Sequence, residues 1–388
     1  MSEPRTLKVF LIAGENSGDA LGSSLMKSLS AKIDGNIQYF GVGGPEMSAQ
    51  GLDSLFPMTD LAVMGVFEVL PRLPNLLKRM SEAADAIDAL KPDMVITIDA
   101  PDFCFRVIKK LRKRGNHVPV VHYVAPTVWA WRPGRAAKVA KFLDHLLCLL
   151  PFEPPYFHRE GLDATFVGHP VVTGSLGQGD GAAFRVRHRI EVDTPVLCVL
   201  PGSRQGEVTR LLDVFGEATE RLSSQYPGLR IVIPAVSHLQ DHIRQTVAAW
   251  DVSTIVVGQD EKADAYAASN VGLAASGTVT LELAMAKLPH IIGYRVNALT
   301  AFIGKMLIKT PYANLINICL GREVVPEFIM ETCTADNLAR ELARLLDDEG
   351  ARSAQLSAAQ DALMQLGLGG PAPGDRAAEV VLKMVGDV

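Results

Sequence analysis

PVLCVLPGSRQGEVTR, the stretch from Pro195 to Arg210, decides how this chain is read. Val196 to Leu200 is a continuous apolar run with the length and β-branched start of a buried strand. Pro201, Gly202 and Ser203 make a tight turn. Arg204 then precedes a helical run from Gln205, with Val208, Leu211, Leu212 and Phe215 as its apolar positions. A strand, a glycine turn and a helix N-terminus together can hold an anion. The first helical N–H groups lack partners, and the helix dipole favours negative charge beside them. Gly202 allows close backbone approach, and Arg204 can add a bidentate contact to phosphate. An ordinary βα turn with a solvated arginine accounts for the same residues, so the decision rests on the rest of the chain.

Outward from this stretch the same grammar repeats. In the first half, strands are predicted at Lys8–Ala13, Ile37–Val42, Met94–Ile98, Val118–Tyr123, His145–Leu149 and Thr165–Val167. Helices are predicted between them at Ala20–Ala31, Asn75–Leu90, Phe105–Arg114 and Arg135–Phe142. The strand runs are continuously apolar rather than alternating, as in parallel sheets covered on both faces. GHPVVTGSLGQGDG, Gly168–Gly181, reads as a linker. The pattern restarts with strands at Val196–Leu200, Arg230–Pro234, Thr254–Val257, Val271–Ala274 and His290–Gly293. Helices are predicted at Gly206–Gln225, Leu239–Ala249, Ala263–Ser269 and Thr278–Lys287. From Ala335 the chain reads as helical, ending in an amphipathic helix at Arg376–Met384.

The expected fold class is therefore α/β: two facing Rossmann-like domains with parallel sheets, followed by C-terminal helices. The expected boundaries are 1–173, 174–350 and 351–388, the last segment packing back across the domains or onto a partner subunit. Facing domains would open the carboxyl ends of both sheets onto one cleft, where ligands of such folds bind.

Bulk properties exclude several classes. The 388 residues are 48% hydrophobic and 21% charged, which suits two globular cores and argues against global disorder. Of 38 Lys/Arg and 43 Asp/Glu, residues 1–173 carry 19 and 18, and residues 174–388 carry 19 and 25. Net charge is thus +1 in the first part and −6 in the second, which gives no bulk footprint for nucleic acid. The five scattered cysteines form no CxxC pair and fit a reducing compartment. The apolar run Val9–Ala13 is too short for a signal peptide, and no run is long enough to span a bilayer.

The turns after the strands carry the candidate chemistry. GENSGD, Gly14–Asp19, is not G-x-G-x-x-G, which disfavours a classical dinucleotide site. Ser17 and Gly18 either contact a ligand or belong to a tight turn that Ser17 or Asp19 caps. Asp99 ends the strand MVITI and can serve as a general base or as a turn acceptor, while Asp102 reads as the cap of the next helix. HYVAPTVWAWR, His122–Arg132, holds two of the three tryptophans; one of Trp129 and Trp131 is expected in the core, and the pair also suits stacking on a sugar. His122 is either a core histidine or a site residue. Ser276, Gly277 and Thr278 can offer N–H and hydroxyl donors to phosphate, with Glu282 as an acceptor for ribose hydroxyls; helix capping is the alternative. The Asn-bearing loop from Asn314 to Glu323, with Asn317 and Arg322, suggests a buried polar network. There is no D-x-D and no metal-ligand spacing, so a metal-chelated diphosphate is not indicated, and arginine and helix N-termini would have to carry that charge. Leu61–Met80 is more apolar than one helix face needs, at Met64, Phe67 and Leu70 among others. With the basic run Arg106–Arg114 it reads as an interfacial membrane patch or as plain core.

In order, GENSGD, GVGGPEM, AVMGVFEVL, IDAPDF, HYVAPTVWAW, LPGSR, ASGTVTLE and NLINICLGREVVPEF resemble the lipid-A-disaccharide synthase family, from about Val9 to about Cys333. The resemblance implies a GT-B fold and an inverting glycosyl transfer from UDP-2,3-diacylglucosamine to 2,3-diacylglucosamine 1-phosphate. The product would be a β-1,6 disaccharide, with UDP released. It implies a cofactor-free, metal-free enzyme peripheral to the cytoplasmic face of the inner membrane, with a swapped homodimer known in the family. Asp99 and Arg204 become the expected catalytic pair. Gly202, Ser203, Ser276, Gly277, Thr278, Glu282, Asn317 and Arg322 become the donor site on 174–350. Ser17, Gly18, Met64, Phe67, Leu70, Trp129 and Trp131 become the acceptor and lipid side on 1–173. Ala125 stands where the family usually has Ser, and Met330 where it usually has Gln. A UDP-N-acetylglucosamine 2-epimerase would share the cleft and the UDP cradle but need no lipid-facing surface. A non-catalytic lipid-binding scaffold would explain the apolar patch but not the polar residues at the strand ends.

Overall fold

The computed structural model describes residues 6–33, 35–61, 66–296 and 310–386, apart from the side chains of 66–72. The chain divides into two units: Met1–Pro170 with Gly369–Val388, and Val171–Leu368.

The first unit is built on seven parallel strands: β1 (Leu7–Ala13), β2 (Ile37–Val42), β3 (Asp53–Ser54), β4 (Met94–Ile98), β5 (Val120–Tyr123), β6 (His145–Cys148) and β7 (Asp163–Phe166). They lie in the order β3-β2-β1-β4-β5-β6-β7. The chain moves outward from β1 through β2 to β3, then crosses to the other side of β1 for β4. Beyond β1 and β4 the connections therefore diverge, which opens a crevice at their carboxyl ends. All five residues of β4 are buried, as a strand covered on both faces requires. Helix Pro101–Lys113 covers one face with Phe103, Cys104, Phe105, Val107, Ile108 and Leu111, and turns Arg106, Lys109 and Lys113 outward.

The second unit repeats the plan with β8 (Val196–Leu200), β9 (Arg230–Pro234), β10 (Thr254–Val257), β11 (Val271–Ala274), β12 (His290–Tyr294) and β13 (Glu327–Ile329). Their order, β10-β9-β8-β11-β12-β13, places the second reversal between β8 and β11. Helix Gln205–Gln225 buries Val208, Leu211, Leu212 and Phe215 against this sheet, as its apolar spacing predicts.

The C-terminal helices are shared between the units. Ala335–Asp347 and Glu349–Gln365 lie in the second, and Pro373–Val385 in the first. There Ala377, Ala378 and Val381 join the core beside Leu21, Leu25 and Leu29, and Lys32 meets Glu379 at 2.9 Å.

Several local readings are corrected. The first helix starts at Asn16, so Ser17 and Asp19 lie inside its first turn and neither caps it. The buried Asp19 carboxylate instead accepts the N–H groups of Gly44, Glu46 and Met47 at 2.8, 2.9 and 3.0 Å, capping the short helix Pro45–Ser48. Asp102 makes no cap either: it is exposed in the first turn of its helix, 3.9 Å from Arg135. The stretch read as an Asn-bearing loop contains a helix, Leu315–Leu320, with Asn314 as its cap. Helix Val66–Leu90 begins nine residues before the predicted start at Asn75. The linker at 168–181 is broken by 3₁₀ turns at Pro170–Thr173 and Leu176–Gln178.

Candidate active site

Each strand-order reversal carries a cluster of the residues singled out above, and the two are described in turn. In the first unit β4 is followed by two consecutive non-glycine residues with positive φ, Asp99 at 51° and Ala100 at 41°. The next strand, β5, is followed by Val124 at φ 82°, a β-branched residue where such a conformation is a true outlier. Strained backbone of this kind persists only where its surroundings over-determine it. Here the Asp99 N–H is fixed to the Tyr123 carbonyl at 2.9 Å, and the Val124 N–H to the Leu147 carbonyl at 3.0 Å. Gly14 provides the room, because a Cβ there would stand 2.7 Å from that of Ala100. The result presents the half-buried Asp99 carboxylate at the crevice, where the Ser17 hydroxyl donates to it at 3.3 Å. Gly18 lies against the end of β4, where an added Cβ would come within 3.3 Å of the Ile98 carbonyl.

His122 is a core histidine. It is fully buried and shares a 2.7 Å hydrogen bond between Nδ1 and the Thr97 hydroxyl. Burial, aided by the charge of Arg135, pushes its pKa down to about 3, so the ring is neutral. Neither Trp129 nor Trp131 is core, contrary to expectation: both are half-buried. Trp129 packs edge-on against Phe152 at 5.2 Å and donates its indole N–H to Glu153 at 3.1 Å. Trp131 donates to the Thr127 hydroxyl at 3.1 Å, and the Arg132 guanidinium lies 4.2 Å over its ring. Met64 lies outside the described residues, as do the side chains of Phe67 and Leu70. Further along that helix Leu76 and Met80 enter the core, whereas Leu73 and Leu77 are 37% and 49% exposed.

In the second unit a cleft opens at the carboxyl ends of β8 and β11. Gly202, Ser203, Ser276, Gly277, Thr278 and Glu282 all line it. Gly202 has φ 114°, a conformation that favours glycine, and a Cβ there would press on the Glu207 carboxylate at 2.8 Å. Arg204 is the N-cap of helix Gln205–Gln225, and its side chain makes no cap bond. That side chain is 63% exposed and only 3.5 Å from Glu207, which also accepts the Tyr294 hydroxyl at 3.3 Å. The Ser276 hydroxyl is not a free donor, because it is given to the Ala313 carbonyl at 3.0 Å. Thr278 is the N-cap of helix Val279–Met285 without a side-chain bond.

Glu282 is not a surface residue. Its carboxylate meets Lys262 at 2.5 Å and accepts the Tyr266 hydroxyl at 3.2 Å. Lys262 and Tyr266 also line the cleft and were missed in the sequence. They stand one turn apart on helix Lys262–Ala268, an i, i+4 spacing that would have paired them. Burial and the neighbouring Glu282 raise the Tyr266 pKa far above its usual value, so its hydroxyl stays a donor. Chemically the cleft offers a long helix N-terminus for an anion and a pre-oriented carboxylate for a pair of hydroxyls.

Asn317 does something else. It is buried, its amide donates to the Val325 carbonyl and to Glu327 at 2.8 and 2.7 Å, and its oxygen accepts from Val324 and Val325 at 2.8 and 2.9 Å. Glu327 also accepts the N–H groups of Ala313 and Asn314. This is the expected polar network, and it leaves the Asn317 side chain nothing to offer a ligand. Arg322 is exposed in the following loop.

Two Rossmann-like units with these strand orders define a protein of the GT-B class. The solved structures it resembles include the glycosyltransferase of kitacinnamycin (TM-score 0.65, 14% identity, 99% of this chain and 100% of that one). Another is the UDP-N-acetylglucosamine 2-epimerase of Neisseria meningitidis bound to UDP-N-acetylglucosamine (TM-score 0.61, 12% identity, 98% and 99%). At such identities the likeness shows the fold alone. The family is shown by sequence: residues 9–368 match the model of the lipid-A-disaccharide synthetase family. The lipid-A-disaccharide synthase of Rhodospirillum centenum is 52% identical over 382 residues, covering 98% of this chain and 95% of the relative. The chain belongs to this family, and it is a glycosyltransferase of lipid A assembly that uses a sugar nucleotide and a lipid A precursor.

One buried acid near the Trp motif was missed. Glu153, 2% exposed, accepts from Trp129 and, at 3.0 Å, from the Leu150 N–H. Burial raises its pKa from 4.5 to about 7. The folded protein then holds a proton that the unfolded chain has lost, so stability falls as pH rises through this window. The loss is complete above pH 7 and amounts to about 3 kcal/mol at this group. Glu153→Gln should remove that slope. Urea midpoints at pH 5 and pH 8 check it: the wild type should lose more stability between the two than the variant, whatever constant offset the amide introduces.

Proposed function

We propose that this enzyme joins UDP-2,3-diacylglucosamine to 2,3-diacylglucosamine 1-phosphate in one inverting displacement. The observation that carries the reading is Glu282, held by Lys262 and Tyr266 in the cleft between the ends of β8 and β11. A carboxylate so oriented accepts the two hydroxyls of a ribose, and the diphosphate then reaches the N-terminus of helix Gln205–Gln225. Arg204, exposed and loosely paired, is free to swing onto that diphosphate.

Asp99 is the base. Its Oδ takes the proton from the acceptor 6-hydroxyl as that oxygen bonds to the anomeric carbon of the donor. The bond from that carbon to the diphosphate oxygen breaks, and UDP leaves with the electron pair. Its growing charge is met by helix N–H groups and Arg204. Attack opposite the leaving group inverts the anomeric centre. The half-buried position of Asp99 at the end of β4, beside the Ser17 hydroxyl, supports this role.

The acyl chains draw the reaction to a membrane surface, since each buried methylene is worth about 0.8 kcal/mol, and in this reading that surface is the cytoplasmic face of the inner membrane. Leu73 and Leu77, exposed on helix Val66–Leu90, continue the apolar stretch that holds Phe67 and Leu70. Among the described residues no helix is long and apolar enough to cross a membrane, so the association proposed is peripheral.

Asp99→Asn should lose at least a hundredfold in turnover while binding UDP normally; near-normal formation of disaccharide and UDP, followed by mass spectrometry, would remove Asp99 as the base. Arg204→Ala should weaken UDP about tenfold in calorimetry, and an unchanged affinity would take Arg204 out of the donor site. Phe67→Ser/Leu70→Ser should float poorly with phospholipid vesicles yet bind UDP as before; undiminished flotation would refute the membrane patch.

A further inference from the structure

A second opening in the first unit lies between helix Pro101–Lys113 and helix Arg135–Val139. Its lining includes five cations, Arg106, Lys109, Arg132, Arg135 and Lys138, against one carboxylate, Asp102. Of these five, only Arg135 has a carboxylate among the described residues within salt-bridge range, and that pair is 3.9 Å apart. The rest of the basic run is spent differently. Arg112 pairs with Asp144 at 2.7 Å, and Arg114 pairs with Asp85 and Asp88 at 2.8 and 2.7 Å.

Three of the groove's cations are held by aromatic faces instead. Arg132 stacks on Trp131 at 4.2 Å, Lys109 on Phe142 at 4.9 Å and Arg135 on Phe105 at 5.6 Å. A ring orients a cation without cancelling its charge. On the inner side of Phe105 lies His122, 4.6 Å away, kept neutral partly by the charge of Arg135. The groove thus gathers five cations against one carboxylate in a chain whose net charge is −5. Guanidinium groups at this density suit the forked oxygens of a phosphate dianion. The groove also begins at Pro101 and Asp102, immediately after the turn that presents Asp99.

We propose that this groove is the subsite for the phosphomonoester of the acceptor sugar, gripped by Arg106, Arg132 and Arg135 with Lys109 and Lys138 at its edges. The proposal rests on the transferase reading above. It gives that reading an anchor that sets the acceptor ring beside Asp99 by its charged end.

Glucosamine 1-phosphate and glucosamine, both without acyl chains, are the probes, titrated by calorimetry and by tryptophan emission, which Arg132 on Trp131 makes responsive. The full chain is compared with Arg106→Gln/Lys109→Gln and Arg132→Gln/Lys138→Gln, all exposed positions, with circular dichroism confirming the fold. The wild type should prefer the sugar phosphate at least tenfold. Each variant should lose at least tenfold in that binding and raise the acceptor KM comparably, with the donor KM unchanged. Binding to phosphatidylcholine vesicles, with and without phosphatidylglycerol, should not follow the same substitutions. Equal binding of sugar and sugar phosphate, or unchanged sugar phosphate binding in both variants, overturns the proposal. Loss of anionic-vesicle binding with sugar phosphate binding intact also overturns it, making the groove a membrane headgroup site. A wild type that discriminates the phosphate but forms no disaccharide from the acylated substrates would sink the proposed reaction and leave phosphate recognition standing.

Discussion

The end of β4 is the constraint on which the first unit's site depends. Asp99 and Ala100 both hold a left-handed backbone that costs on the order of 1–2 kcal/mol per non-glycine residue. Such a turn survives because β4 is buried along its whole length between β1 and β5 and cannot shift register to relieve it. The bond from the Asp99 N–H to the Tyr123 carbonyl locks it to the neighbouring strand. A relaxed turn would let helix Pro101–Lys113 start in line with the strand and carry the carboxylate away from the crevice. The strain therefore fixes the direction of the Asp99 carboxylate, and the space left by Gly14 is the condition for it.

The second unit solves the corresponding problem without a strained non-glycine pair. At β8 the positive φ falls on Gly202 and at β11 on Gly277, where it costs no steric energy. Orientation comes from charge instead, through Lys262 and Tyr266 on Glu282, and through Tyr294 and Arg204 on Glu207. This division fits the chemistry proposed above, with Asp99 as the base and the second unit as the nucleotide site. A base must be aimed at one proton, whereas a nucleotide cradle must be close-fitting and well supplied with donors. Asn317 belongs to a third kind of device: it spends all its hydrogen bonds on the 324–327 segment and so sets where β13 lies.

What the sequence revealed follows the same physics. Central parallel strands such as Met94–Ile98 and Val196–Leu200 are legible because burial on both faces makes them continuously apolar. The edge strands β3 and β13, two and three residues long, carry too little pattern to be read. Leu315–Leu320 was hidden by its own polar residues, one a cap and one buried inside the network. Asp99, Arg204 and Glu282 were legible as polar residues after strands. Their partners were not: Lys262 reads as an ordinary helix-start lysine, and only the fold brings it to Glu282. Glu153 sits in PFEPPY, where nothing marks an acid destined for burial.

Helix Pro101–Lys113 shows how much one amphipathic pattern can specify. Its apolar residues seal it onto the sheet, which leaves every third or fourth position pointing outward. The outward cations could all have been neutralised, as Arg112 and Arg114 are on the side facing Asp144, Asp85 and Asp88. On the other side Arg106 and Lys109 meet a segment that supplies Arg132, Arg135 and Lys138 instead of acids. Like charges brought together cost stability unless something else holds them, and here aromatic faces hold three of the five. A surface patch selected only for solubility would have interleaved signs; concentration of one sign beside the Asp99 turn is what an anionic substrate would reward.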